Sequence, residues 1–181
     1  LHFAYVASGS GGLHIVDVAD PNALVSASHL SIPGPTVAIV VEFPVAYLGT
    51  LGGELVVVDI SDAYSPSLLT TLDVGSGCGD IAVHGDWLYL VGGPEFHVVD
   101  IANPAAPSLF DSMNSSDWTV FDDLIVSGDL LFASSHWNWD DYFGCGMGVH
   151  DISDPSAPAS IEYFASPGLY TQSMAVSGDI V

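Results

Sequence analysis

Apolar residues along this chain alternate with polar ones over short runs, and Gly, Pro, Asn and Asp break the runs apart. Such alternation predicts half-buried β-strands separated by turns. The clearest stretch begins at Asp80. "DIAVHG" reads as one strand, and Gly85-Asp86 makes a tight turn. "WLYLVG" is a second strand, "FHVVDI" a third, and "SLFDSM" a fourth, reached through the longer turn "ANPAAP". No segment sustains a 3.6-residue apolar period, so negligible helix is expected.

The four-strand pattern recurs. "GLHIVDVADP" from Gly12 returns as "ELVVVDISDA" from Glu54, "FHVVDIANPAAP" from Phe96 and "GVHDISDPSAP" from Gly148. The repeated aspartates are Asp17, Asp59, Asp100 and Asp151, at steps of 42, 41 and 51 residues. Between them "VHGDWLYLVGG" (Val83 onward) matches "VSGDLLFASS" (Val126 onward). "VEFPVAYLGT" (Val41 onward) is a looser copy, and "VSGDIV" (Val176 onward) a cut-off one. Four antiparallel strands in a unit of about 40–45 residues mark a β-propeller blade. The expected fold is therefore all-β, a propeller of four-stranded antiparallel blades with about four repeats present.

The repeated phrase resembles the LVIVD repeat, found in β-propellers of bacterial and archaeal surface proteins. The resemblance covers essentially the whole chain, with Leu24 and Ala63 departing at positions where the pattern has proline. It implies a secreted or cell-surface propeller and says little about activity. Each repeated aspartate stands where a third strand runs into its turn. Its carboxylate is expected to accept backbone N–H bonds there as a structural turn residue, with the prolines stiffening the rest of the turn. Residues 1–181 read as a single propeller region cut mid-blade at both ends. A piece of a larger ring is expected, with its targeting signal elsewhere; a small four-bladed ring closed by the N-terminal strand is the alternative.

Charge narrows the partners. The chain carries 22 acidic residues, no Lys or Arg, and a formal net charge of -22. A saline environment, selection against proteases that cut after basic residues, or misassigned residues would each account for it. A chain whose only cationic side chains are histidines cannot neutralise phosphates, so nucleic acid and anionic membrane surfaces are excluded as partners. No apolar run approaches the roughly 20 residues of a membrane-spanning helix, so no membrane insertion is expected.

Candidate chemistry sits where the chain departs from its own repeat. "SSHWNWDDYFGCG" (Ser134 to Gly146) reads as a long inserted loop. It brings His136, Trp137, Trp139, Asp140, Asp141 and Tyr142, a set suited to stacking on a sugar, to cation–π contact or to a protein hot spot. "NSSDWTVFDD" (Asn114 to Asp123) should join a fourth strand to the next first strand on the same face, adding Trp118 to the binding residues. Its Asp117, Asp122 and Asp123 are hard-cation ligands that suit Ca²⁺. Cys78 and Cys145 both read as loop residues of that face, and a disulfide between them is expected in a secreted chain. The histidines are scattered, and no HExxH, GxSxG or phosphate-binding glycine loop is present.

No catalytic residue is assigned. The favoured reading is a non-catalytic extracellular or cell-surface module for adhesion, scaffolding or assembly, which recognises a surface protein or glycan through the face carrying 134–146. The alternatives are a secreted glycan hydrolase using an Asp pair on that face, and a calcium-dependent binding module.

Overall fold

The computed structural model describes residues 2–114, 119–139, 142–167 and 174–177; side chains at 114, 119, 137–139, 142, 143, 166 and 167 are not included in that description. The described chain is all strand and turn. Four antiparallel sheets follow one another along the sequence. The first has three strands, β1 (Phe3–Ala7), β2 (Leu13–Asp17) and β3 (Val25–Leu30). The second has four, β4 (Thr36–Glu42), β5 (Val45–Thr50), β6 (Glu54–Asp59) and β7 (Ser67–Asp73). The third runs β8 (Asp80–His84), β9 (Trp87–Gly92), β10 (Glu95–Asp100) and β11 (Ser108–Asn114). The fourth runs β12 (Thr119–Ser127), β13 (Leu130–Trp139), β14 (Tyr142–Asp151) and β15 (Ala159–Pro167). These are propeller blades, and the strands of the third fall where the alternation placed them.

Burial follows position in the blade. Middle strands are covered on both faces, so β5 is buried along its whole length and β6, β9 and β10 nearly so. Their near-continuous Val, Leu and Tyr content is what two-sided burial requires. The last strand of each blade is an edge; β7 leaves Leu68 and Leu69 exposed. The pairing of the last two strands of each sheet contains one bulge at the same place, at Ile15/Val16, Val57/Val58, Val98/Val99 and Val149/His150. The irregularity belongs to the repeat, not to one blade.

The chain divides into two compact units, Leu1–Cys78 with Asn103–Pro107, and Gly79–Ala102 with Ser108–Val181. In the first, Leu13, Ile15, Leu48, Val56, Val58 and Ile60 form one core cluster. Thr36, at 2 % exposure, ties the first blade to the second: its N–H donates to Gly9 O at 3.0 Å and the Gly9 N–H returns to Thr36 O at 3.1 Å. In the second unit Tyr89, Val91, Phe96 and Val98 pack with Leu124, Leu131, Ala133 and Ile152. There the matching backbone tie runs from Phe121 N–H to Gly93 O at 2.9 Å.

Candidate functional site

The repeated aspartates end β2, β6, β10 and β14. Each Oδ1 accepts the N–H two residues on: Ala19 at 2.9 Å, Ser61 at 2.8 Å, Ala102 at 2.9 Å and Ser153 at 2.8 Å. These bonds hold the carboxyls of Asp59 and Asp151 below their ordinary range, with the serine hydroxyls adding a second bond. A second Asx turn comes directly after, in which Asp20, Asp62, Asn103 and Asp154 accept the N–H of Asn22, Tyr64, Ala105 and Ser156. Sequence reading missed this second turn, although an Asp or Asn three residues after each first aspartate announces it.

The fourth blade is taller than the others. β13 and β14 have ten residues each, against six in β5, β6, β9 and β10. The 134–146 insertion is therefore not an irregular loop. It lengthens a hairpin, pairing Ser135 with Gly146 and Trp139 with Tyr142. The aromatic-rich run keeps strand alternation, which is why it extends the sheet.

At the base of this extension β12 bulges between Phe121 and Asp123. The bulge frees Asp122 from the ladder, and His136 Nδ1 meets its two carboxylate oxygens at 2.7 and 2.9 Å. Asp123 accepts the N–H of Met174 at 2.6 Å. Asp80, opening β8, accepts the N–H of Leu124 at 2.7 Å and is hydrogen-bonded to the Asp123 side chain. Burial pushes the Asp80 carboxyl up to about 6; the Leu124 N–H pulls it back and Asp123 pushes it further. Protonated, Asp80 is the donor to Asp123. Asp80 was not among the residues read from sequence. Its signal was there: Asp80 and Asp123 each precede a hairpin aspartate, Asp86 and Asp129, by six residues.

Of the other residues singled out from sequence, Trp137 and Trp139 lie on β13 and Tyr142 on β14, with side chains outside the description. Asp117, Trp118, Asp140 and Asp141 lie outside the described residues altogether. Asp122 and Asp123 adjoin but take different partners. Among the described residues no three His, Cys, Asp or Glu side chains gather as a metal site. The expected Cys78–Cys145 disulfide is not supported. Both residues are buried with no disulfide joining them, and Cys145 lies within β14, opposite His136, rather than on a loop. His97 is buried on β10 with Nδ1 2.8 Å from Ser112 Oγ, and burial lowers its pKa.

The repeated sequence matches a known family. The LVIVD repeat matches residues 2–29, 34–74, 76–115 and 142–165, well over half of the chain. The chain belongs to the LVIVD repeat family. No curated protein matches this LVIVD chain significantly in sequence. Among solved structures it is similar to the Cps50 (Swd1) β-propeller domain of Myceliophteria thermophila. The TM-score is 0.68 and the identity 15 %, over 90 % of this chain and 56 % of that one. A protein described as functionally unknown from Desulfotomaculum acetoxidans gives 0.65 at 14 % identity, over 88 % and 55 %. The computationally designed Ika8 protein gives 0.62 at 14 %, over 83 % and 43 %. At these identities the likeness concerns the fold alone, and the LVIVD chain spans little more than half the length of the first of these structures.

Proposed function

We propose that this chain is a non-catalytic propeller module that binds a surface protein or glycan through the tall end of its fourth blade. The observation that carries this reading is the β13–β14 hairpin. Four more residues per strand than its counterparts is on the order of 13 Å of additional height. A paired strand hairpin that carries Trp137, Trp139 and Tyr142 is a suitable mount for recognition residues. The described carboxylates beneath it have partners within the fold, which favours this reading. Asp80 and Asp123 each hold a backbone N–H of the next repeat, and Asp122 is held by His136. A location outside the cell or on its surface fits a chain without Lys or Arg, which offers no cleavage site to proteases that cut after basic residues.

The test replaces residues 136–145 by Asn-Gly, closing Ser135 onto its partner Gly146 with a two-residue hairpin turn. Labelled intact and shortened chains are titrated onto purified cell envelopes of the source organism, and the same samples are assayed for released reducing sugar. The reading expects saturable binding by the intact chain, loss of binding in a shortened chain that still unfolds cooperatively, and no sugar release. Sugar release that disappears in Asp123→Asn, or full binding by the shortened chain, would overturn it.

A further inference from the structure

The second repeat departs from the other three around one cavity. Phe43 stands where the third and fourth repeats have Gly85 and Gly128. Ala63 stands where the others have Pro21, Pro104 and Pro155, and Tyr64 where they have Asn22, Ala105 and Ser156. All three line a cavity of ≈ 460 Å³ within the first unit, together with His2, Phe3, Tyr5 and Asp62. That volume falls in the range of small-molecule sites, about 300–1,000 Å³.

The second unit is built differently at the corresponding turn. Tyr89 stands two residues after Trp87, the register partner of Asp100, and donates its hydroxyl to Pro155 O of the next repeat at 2.9 Å. Tyr5 likewise stands two residues after Phe3, the partner of Asp17, but the next repeat offers Ala63, without the proline ring. The cavity thus lies beside a turn that lacks the proline of the other repeats. Its floor is fixed, since Ala63 is buried and its carbonyl accepts Ser28 Oγ at 2.6 Å. Its rim is aromatic, with Phe43 72 % and Tyr64 55 % exposed. Phe3 and Tyr64 meet edge to face, centroids 5.7 Å apart and planes at 88°. Asp62 Oδ1 accepts the Tyr64 N–H at 2.9 Å, which fixes the carboxylate at the turn that carries Tyr64.

We propose that this cavity binds an organic cation, an alkylammonium group held against aromatic faces with Asp62 as its counter-charge. Ring faces carry a negative quadrupole and attract cations, more strongly where water is excluded. The net charge of -22 raises the local concentration of cations, and no Lys or Arg competes for the carboxylate. Among the residues lining the cavity His2 is the one side chain able to carry positive charge, which disfavours an anion. The proposal does not depend on the hairpin reading, which concerns the other unit.

The test is calorimetric titration of the full chain with choline, with its uncharged isostere in which carbon replaces nitrogen, and with a blocked lysine peptide. Two variants accompany it: Asp62→Asn and Tyr64→Ala. The third repeat has Asn103 and Ala105 at these positions, so each substitution suits the turn. Cation binding is expected, at least about tenfold stronger than that of the isostere. Asp62→Asn and Tyr64→Ala should each weaken it about tenfold, the effect of losing roughly one charge or cation–π contact. Preference for choline assigns the site to a free small cation, and preference for the peptide to a basic side chain of a partner protein; both support the proposal. Equal binding of the isostere, full affinity in both Asp62→Asn and Tyr64→Ala, or no binding of either cation at millimolar concentration would overturn it.

Discussion

Asp80 Oδ2 accepts the backbone N–H of Leu124 at 2.7 Å, across 44 residues of chain. One repeat later Asp123 does the same for Met174 at 2.6 Å. Aligned on the hairpin turns, Asp80 and Asp123 occupy one blade position, and Leu124 and Met174 the next, while the second repeat has Ala38 where the aspartate stands. The carboxylate is a blade-to-blade latch carried by some repeats and absent from others.

The latch has a pH signature. Asp80 holds its proton up to about 6 in the fold, against 3.8 for an ordinary aspartate. The native state therefore binds more protons than the unfolded chain between these values. The contribution of this group is fully present below about pH 4 and lost as pH rises through 6. Asp80→Asn keeps an acceptor for Leu124 and stays neutral. Relative to the parent it should gain stability above pH 6 and change little below pH 4. Asp80→Ala should cost about 1–3 kcal/mol at low pH, where the Leu124 N–H loses its partner. Urea unfolding at pH 4 and pH 8 checks both.

The turn aspartates behave oppositely. Asp59 and Asp151 titrate below 3.8 because folded backbone N–H groups favour the charged form. Their contribution is present above the unfolded value and lost as pH falls through the lowered one. Carboxyl carbon NMR should place both below ordinary aspartates. Ser153→Ala should raise Asp151 only part of the way, since the Ser153 backbone bond is the larger cause.

Much of the blade was legible before the structure because local signals agree with one another. Gly85 and Gly128 adopt φ of +59° and +57° at the hairpin turns, the left-handed backbone that glycine tolerates. The Asp-Pro phrases close the longer turns. The insertion was harder to read, because Asn138, Asp140, Asp141 and Gly144 look like punctuation while the register of β13 against β14 runs through it. Cys145 was misplaced for the same reason. The Asp80 latch and the aromatic cavity both join residues of successive repeats, a relationship that strand periodicity within one repeat does not express.

Gly146 separates tall-blade packing from mere exposure. A Cβ there would lie 2.0 Å from Tyr163 Oη and 2.8 Å from Phe164 O. Gly146→Ala should destabilise by about 1–3 kcal/mol through overpacking. Gly79→Ala, whose Cβ meets only carbonyls at 3.4 Å and beyond, should change stability by less than about 1 kcal/mol. Thermal unfolding of the pair decides.

Tyr89 is fully buried, and burial, helped by the Asp154 charge, pushes its hydroxyl up to about 12. Tyr89→Phe should lose about 0.5–1.5 kcal/mol with the bond to Pro155 O. Ultraviolet titration of the folded parent should contain a tyrosine ionising near 12 that the variant lacks.

The latch is tested most directly by amide hydrogen exchange at Leu124, in the parent, Asp80→Asn and Asp80→Ala, at a pH where all three are folded. If the side chain at 80 holds the next blade, Leu124 is protected in the parent and in Asp80→Asn, and exchanges faster in Asp80→Ala while neighbouring β12 amides change less. Equal protection of Leu124 in all three proteins would contradict the account.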